Sequence, residues 1–292
     1  MTRRFRLLAG PNGSGKTTLK RRLERDYAVN FYDSLNADEI FAEVKRTGAY
    51  APRLAIEPEA LAAFVDASSY DESVKAFFRG GAIAVENDCV RFRTPASANS
   101  YTVALLTAFL SSEHVRQGMS FSQETVFSHP SKVAALAAAQ AAGFRTYLYF
   151  VATEVPEINL GRVETRVGLG GHGVPSEKVI ARHAQSIGQI PAALPHLSRA
   201  FFFDNSERTM RYLASWSPVE GLACVDGVAL PAWFEGLRTS FGSEAKCLPR
   251  GTAFETSAEA ASREAVREAF AAGLPITVLQ NGCVVRVKGD DR

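Results

Sequence analysis

The residues best suited to chemistry lie near the N-terminus, in the run Gly10-Pro-Asn-Gly-Ser-Gly-Lys16-Thr17-Thr18. This run follows an apolar segment at 5–9 and precedes a segment at 19–23 with helical spacing. A strand, a glycine loop and a helix in that order are the context of a Walker A phosphate loop. In such a loop the backbone N–H groups and the positive end of the helix bind the β-phosphate. The run predicts binding of a nucleoside triphosphate, with a glycine turn beside a surface lysine as the structural alternative.

Each residue type in this loop has a predicted role. Lys16 is expected to reach the β- and γ-phosphates, and the Thr17 hydroxyl is expected to ligate Mg²⁺. The predicted cofactors are therefore ATP and Mg²⁺. The residues expected to bind the nucleotide are Gly10, Asn12, Gly13, Ser14, Gly15, Lys16, Thr17 and Thr18.

Carboxylates follow two further predicted strands. Phosphoryl transfer needs a base on the acceptor hydroxyl, a metal, and cations near the equatorial oxygens. Asp38 follows the second strand, so it should lie at the carboxyl edge of the sheet and accept a proton there; a helix N-cap is the alternative. Its neighbour Glu39 is expected to contact substrate. Glu124 and Thr125 end the next strand and are expected to bind substrate or the metal's second shell, with a polar strand end as the alternative.

Arginines are concentrated in a segment that resembles a lid, at about 160–182. Arg162 and Arg166 are four residues apart and so share one face of a helix, and Arg182 lies one helix later. The glycines between these helices predict a mobile loop. Arginines on a lid bring positive charge to a γ-phosphate and exclude water. A solvated charged face is the alternative.

Two other polar residues lie in predicted turns. His172, in the glycine-rich loop, either donates to a phosphate or to the acceptor, or is only a turn residue. Asn205 follows the last strand in Asp204-Asn205-Ser206 and either borders the adenine or only forms a turn.

The elements that must position these residues alternate over 1–213. Strands alternating with helices predict an α/β fold, a parallel sheet of P-loop NTPase type with helices on both faces. The predicted strands are 5–9, 31–35, 119–123, 145–152 and 199–203, and the predicted helices are 15–26, 36–40 onwards, 131–142, 154–167 and 176–188.

The chain is predicted to have two domains, the first of which carries a folded insertion. The P-loop core covers 1–214, and a folded insertion at about 47–117 separates its second and third strands. The insertion carries predicted helices at 57–67, 71–78 and 102–110 and a strand at 82–92.

The tail, 215–292, is predicted to be a small helix–hairpin module. A capping box at 256–259 opens a helix that runs to 272. Asn281-Gly282 between two apolar runs predicts a β-hairpin.

Composition narrows the class of protein. The 292 residues carry a net charge of only +2, which argues against a nucleic-acid-binding surface. The four cysteines lie far apart without a CxxC pair, which favours reduced thiols. The longest apolar run, at 101–110, is too short to span a bilayer. We therefore predict a cytoplasmic protein with no membrane partner.

Five motifs, taken in order, resemble the zeta-toxin family of P-loop kinases: GPNGSGKTT, NADEI, SFSQET, RVETRVGLGGHGVP and FDNS. The resemblance covers 5–213 apart from the insertion, and the tail is similar to the C-terminal end of many chromosomal members. It implies transfer of the γ-phosphoryl of ATP to a sugar hydroxyl, as on UDP-N-acetylglucosamine. It also implies a toxin role, with an antitoxin protein as partner.

The resemblance implies roles for individual residues. Lys16 becomes the phosphate-binding lysine, Thr17 the Mg²⁺ ligand, Asp38 the general base and Arg162 a γ-phosphate arginine. Glu124 and Thr125 become substrate contacts, and Arg166 and Arg182 both compete as a second lid arginine.

The chain also departs from the family. It reads Ala181-Arg182-His183 where small chromosomal members usually show paired arginines, and most members lack the 47–117 insertion. Because the insertion lies where an acceptor pocket would be built, another hydroxyl acceptor is an alternative, such as a nucleotide or a nucleic-acid end. A nucleotide-dependent binding module that hydrolyses ATP slowly is a further alternative, although no apolar strand ends in a clear Walker B aspartate.

Overall fold

The structure is a computed structural model that describes residues 2–170, 173–242, 245–249, 251, 263 and 266–289. Its strands are β1 (Arg4–Ala9), β2 (Asp33–Asn36), β3 (Ala49–Tyr50), β4 (Ile83–Glu86), β5 (Cys89–Phe92), β6 (Phe121–Thr125), β7 (Arg145–Ala152), β8 (Arg199–Asp204), β9 (Arg211–Ser217), β10 (Gly221–Val225), β11 (Lys246–Leu248), β12 (Ile276–Gln280) and β13 (Cys283–Val287). Its α-helices are α1 (Lys16–Tyr27), α2 (Ala37–Thr47), α3 (Pro58–Ala67), α4 (Glu72–Arg79), α5 (Ser100–Arg116), α6 (Ser131–Ala141), α7 (Pro156–Gly168), α8 (Ser176–Gly188), α9 (Ile190–Ala193) and α10 (Ala232–Glu235).

The main sheet has the strand order β11-β10-β9-β8-β7-β1-β6-β2. From β2 to β8 every neighbouring pair is parallel, which confirms the predicted α/β fold over these five strands. The sheet is longer than predicted, because β9 pairs antiparallel with β8, β10 antiparallel with β9, and β11 parallel with β10. Parallel strands end at one edge, so β1, β2 and β6 bring their carboxyl ends together.

The central strand β1 is covered on both faces, which explains its consecutive apolar residues. Leu8 packs with Leu19 and Leu23 of α1 on one face. Leu7 belongs to the larger cluster on the other face, which includes Leu106 of α5 and Leu136 of α6. The phosphate-loop strand is thereby fixed between two layers of helices.

The predicted insertion at 47–117 folds in two parts. Helices α3 and α4 and a small antiparallel sheet, β3-β5-β4, form the excursion. The predicted strand at 82–92 is a hairpin, because Asn87 and Asp88 have φ of 52° and 59° and turn the chain. Helix α5 packs on α2 and buries Phe109 in the main core. It is the crossover helix that leads into β6, so it belongs to the layered core although the prediction placed it in the insertion.

The predicted boundary at 214 falls inside β9. This strand continues the ladder from β8, and a break there would leave β8 as an exposed edge. The predicted hairpin is confirmed as β12–β13, with φ of 51° at Asn281 and 78° at Gly282. It packs along α7. The predicted capping box at 256–259 lies outside the described residues.

No helix in the part of the chain that the structure describes is long and apolar enough to cross a membrane.

Candidate active site

The loop between β1 and α1 has the conformation that its glycines predict. Gly10 has φ of 141°, and a Cβ there would lie 1.9 Å from the carbonyl oxygen of Val151. Gly15 has φ of 99° and directly precedes the first residue of α1. At Gly10 only glycine fits both the positive φ and the close approach of β7. The loop therefore presents its backbone at the start of a helix, as a phosphate site requires.

Two asparagine side chains fix the loop from behind. Asn205, just after β8, donates from Nδ2 to the Ser14 carbonyl oxygen at 2.8 Å. Asn159, in α7, donates from Nδ2 to the Asn12 carbonyl oxygen at 2.5 Å. The Asn205 amide thus holds the loop backbone, and its predicted position beside the adenine stays a prediction. Asn159 was missed, because a single polar residue on the buried face of a helix has no sequence signal.

Lys16 is buried in the loop that it closes. Its Nζ donates to the carbonyl oxygens of Gly10 and Pro11, both at 2.8 Å. Burial lowers the pKa of Lys16, and so does the nearby Arg166 guanidinium, whereas Glu124 and Asp38 act to raise it. The carboxylates of Glu124 and Asp38 and the Arg166 guanidinium therefore all lie close enough to the Lys16 ammonium to change its pKa.

Glu124 is the buried carboxylate of the site. It lies at the end of β6, opposite Leu8 of β1 and Asn36 of β2. Thr17 donates from Oγ1 to its Oε1 at 2.7 Å, and Asn36 donates from Nδ2 to its Oε2 at 3.3 Å. Burial raises the pKa of the Glu124 carboxyl, and the charge of Lys16 and the bond from Thr17 oppose this.

This arrangement matches the chemistry of a Mg²⁺ site in a P-loop protein. Mg²⁺ prefers oxygen ligands and keeps several waters, and the Thr17 hydroxyl and the Glu124 carboxylate form an oxygen pair beside the loop. Within the described residues no group of three or more His, Cys, Asp and Glu side chains could hold an ion. The Thr17 oxygen, phosphate oxygens and water would complete the shell. The sequence placed Glu124 near substrate or the metal's second shell. Its strand contains the buried polar residues Ser122 and Gln123 and so lacks the apolar run typical of a Walker B strand.

Asp38 lies in the first turn of α2 on the same edge. The N-cap of this helix is Asn36, whose Oδ1 accepts from the Asp38 backbone N–H at 3.0 Å. The Asp38 carboxylate is therefore not the cap, and it is exposed to solvent near Lys16. Its neighbour Glu39 is also exposed. Thr125, next to Glu124, accepts from the Phe127 backbone N–H at 3.2 Å.

The lid arginines are placed very differently. Arg166 lies close enough to Lys16 to affect its pKa. The Arg162 guanidinium instead donates to three backbone carbonyls: those of Thr277 at 3.1 Å, Asn205 at 2.5 Å and Glu207 at 3.4 Å. Burial lowers the pKa of Arg162 to about 10, so it stays charged at neutral pH.

The other two residues predicted in the lid are Arg182 and His172. Arg182 lies in α8 and is half-buried, and α8 packs on α7. His172 lies outside the described residues.

Sequence reasoning also missed Lys132, in the first turn of α6. It shares a helix face with the buried Leu136 and Ala139, four and seven positions further on. No described residue forms a hydrogen bond or ion pair with its ammonium. Burial lowers the pKa of Lys132 to about 8. Because α6 follows β6, its first turn lies at the sheet edge that carries Glu124.

No protein-family profile matches the chain, and no curated protein matches it. Among solved structures it is similar to one from the PezAT chromosomal toxin–antitoxin system of Streptococcus pneumoniae, at 12% identity and a TM-score of 0.45, over 92% of this chain and 87% of that one. It is also similar to the AvrRxo1-ORF1:AvrRxo1-ORF2 complex with sulphate ions, at 16% identity and a TM-score of 0.46, over 90% and 76%. The same complex with ATP aligns at 15% identity and a TM-score of 0.44, over 91% and 76%.

Proposed function

We propose that this protein is an ATP-dependent kinase that transfers the γ-phosphoryl group to a hydroxyl acceptor. One observation carries the proposal: Lys16, the Thr17–Glu124 pair and the exposed Asp38 carboxylate meet at one edge of a parallel sheet beside a phosphate loop. A slow ATPase switch needs the loop and a metal site, but it does not need a second, solvent-facing carboxylate.

The proposed roles follow from the contacts. The loop N–H groups and Lys16 bind the phosphates, which first requires that Lys16 exchange its carbonyl partners for phosphate oxygens. Thr17 and Glu124 would hold Mg²⁺, which neutralises charge on the β- and γ-phosphates when bound. Asp38 accepts the proton of the acceptor hydroxyl. Arg166 places positive charge on the γ-phosphate.

The acceptor that we propose carries an anionic group besides its hydroxyl. Lys132 supports this, because it lies in the first turn of the helix that follows β6 and its ammonium forms no bond with the described residues. A nucleotide sugar such as UDP-N-acetylglucosamine has both groups, and the motif resemblance to the zeta-toxin family favours it. The same resemblance supports a toxin role with an antitoxin partner.

The test is transfer of label from γ-labelled ATP, with Mg²⁺, to purified UDP-N-acetylglucosamine and to a bacterial metabolite extract. We expect Lys16→Ala and Asp38→Asn each to reduce transfer by at least about 1,000-fold. Glu43→Gln removes an acidic side chain from the same helix as Asp38 and should leave transfer unchanged. Label that goes only to water would support the ATPase switch instead.

The toxin role has a separate test. Induced expression of the wild-type chain should arrest bacterial growth, and expression of Asp38→Asn should not. Equal growth of the two strains would contradict a toxin role without affecting the kinase assignment.

A further inference from the structure

The β12–β13 hairpin lies so close to α7 that no side chain fits at Gly161. A Cβ at this position would lie 1.9 Å from Oγ1 and 2.6 Å from Cβ of Thr277. One turn further on, the Thr165 hydroxyl donates to the Pro275 carbonyl oxygen at 2.8 Å. At the end of the helix, a Cβ on Gly168 would lie 3.1 Å from the Leu274 side chain. The contact thus extends from Gly161 to Gly168.

Arg162 lies where three elements meet. Its Nε donates to Thr277 of the hairpin, and its two terminal nitrogens donate to Asn205 and Glu207, in the loop after β8. The Leu279 backbone N–H donates to Ser206 in the same loop at 2.8 Å. A guanidinium suits this junction because its donors form a rigid planar fork.

The elements joined in this way are those that fix the phosphate loop. Helix α7 holds the loop through Asn159, and the segment after β8 holds it through Asn205. A Cβ on Gly13 of the loop would lie 2.9 Å from the Asn159 carbonyl oxygen, so α7 rests directly on the loop backbone. Arg166 lies one turn of α7 beyond Arg162, on the same side of the helix. A shift of α7 would therefore move the Arg166 guanidinium relative to the bound phosphates.

We propose that the β12–β13 hairpin, joined through Arg162, positions α7 so that Arg166 is the arginine that contacts the γ-phosphate. This rests on the proposed function, since it assumes that the loop binds a triphosphate. Arg162 is then a positioning residue that acts through Arg166. The C-terminal hairpin supports the active site and is not an independent module.

Gly161→Ala tests the contact without touching the phosphate site. The added methyl group must displace Thr277, whereas alanine by itself favours a helix. The measured quantity is the ratio of the affinities for the non-hydrolysable triphosphate AMP-PNP and for ADP, with Mg²⁺, by isothermal titration calorimetry. We expect the ratio to fall about 10-fold, the effect of about 1.4 kcal/mol in one γ-phosphate contact. The ADP affinity should change by less than about 3-fold, because the loop is intact.

Four further variants make the test specific. Gly188→Ala is the matched control, since no atom lies within 4 Å of the added Cβ, and it should leave the ratio unchanged. In Gly161→Ala with Thr277→Gly the obstructing side chain is absent, so the ratio should recover to within about 2-fold. Arg166→Ala should lower the ratio, and adding Gly161→Ala to it should lower it no further, because both changes remove one interaction.

If Gly161→Ala does not fold, Arg162→Ala tests the same contact by the same measurement. It should lower the ratio while Arg166 is still present. Arg162→Lys should not restore the ratio, because one ammonium cannot reach three carbonyls. A direct contact of Arg162 with the γ-phosphate would instead leave Arg162→Lys partly active and Arg166→Ala unaffected.

Several results would overturn the inference. These are an unchanged ratio in folded Gly161→Ala, an equal loss of affinity for both nucleotides, or an unaffected Arg166→Ala. A wild-type protein that binds AMP-PNP and ADP equally would also overturn it. A wild type that prefers AMP-PNP but transfers no label would count against the proposed kinase function alone.

Discussion

Glu124→Gln should weaken binding of Mg·ATP and at the same time stabilise the nucleotide-free protein. The carboxylate accepts from Thr17 at 2.7 Å and from Asn36 at 3.3 Å, and burial raises its pKa above the ordinary value of 4.5. The amide oxygen of glutamine keeps the bond from Thr17 but gives up the charge. Glu124 would help to hold Mg²⁺ through this charge. Loss of one charge-assisted interaction costs about 1.5–3 kcal/mol, so the affinity for Mg·ATP should fall about 10- to 100-fold.

The stability change has the opposite sign. The pKa of Glu124 is higher in the folded protein than the value of 4.5 in the unfolded chain, so folding binds a proton at pH values between the two. The free energy of unfolding of the wild type therefore falls as the pH rises from 4.5 through the folded-state pKa. At neutral pH the buried charge is unfavourable, and glutamine removes it. The weak bond from Asn36 that is lost costs about 0.5–1 kcal/mol. We expect removal of the buried charge to outweigh this loss. A net gain of about 1 kcal/mol corresponds to a rise in Tm of about 2–4 °C.

The assay pairs differential scanning calorimetry with titration of Mg·ATP, and its control is Glu113→Gln. Glu113 is also buried, but it forms an ion pair with Arg116 at 2.7 Å, away from the loop. That substitution should lower Tm and leave nucleotide affinity unchanged. A lower Tm for nucleotide-free Glu124→Gln, or an unchanged affinity for Mg·ATP, would refute the roles assigned to this carboxylate.

Three other substitutions test the supports of the site. Asn205→Ala removes the bond to the loop and should weaken ADP binding about 5-fold by calorimetry, from about 1 kcal/mol; an unchanged affinity would show that the loop needs no such support. Gly10→Ala places a Cβ 1.9 Å from a carbonyl oxygen and should abolish ADP binding and lower Tm; ADP binding at wild-type affinity would contradict the loop geometry. Gly282→Ala, at φ of 78°, should weaken the hairpin by about 1 kcal/mol and speed hydrogen exchange over 276–287; wild-type exchange rates there would mean that the turn is not strained.

Local signals predicted much of the architecture. The core helices and strands were predicted close to their observed bounds, and the Asn281-Gly282 turn correctly placed the hairpin. These elements have strong local causes, namely apolar periodicity and residues that tolerate positive φ. The extension of the main sheet by β9, β10 and β11 was not predicted, since strand pairing between distant segments leaves little trace in either segment alone.

Some residues of the site could likewise be predicted from local sequence patterns, and others could not. The loop residues and Asp38 are readable because a glycine pattern and a helix start are local features. The contact between Thr17 and Glu124 joins residues 107 positions apart, and its strand lacks the apolar run by which a Walker B acid is recognised. Similarity to the family gave Arg162 a phosphate-binding role that stays a prediction, whereas its described bonds are to backbone carbonyls.

The sequence by itself determined that this chain has a glycine loop with Lys16 and Thr17 between a strand and a helix, because these residues are adjacent in the chain. Only the tertiary structure decided what surrounds the loop. Glu124 comes near Lys16 because parallel strands end at a common edge, and Arg166 comes near it because α7 packs against the loop. Which side chains meet there depends on register and helix packing, and these are set by burial over the whole core.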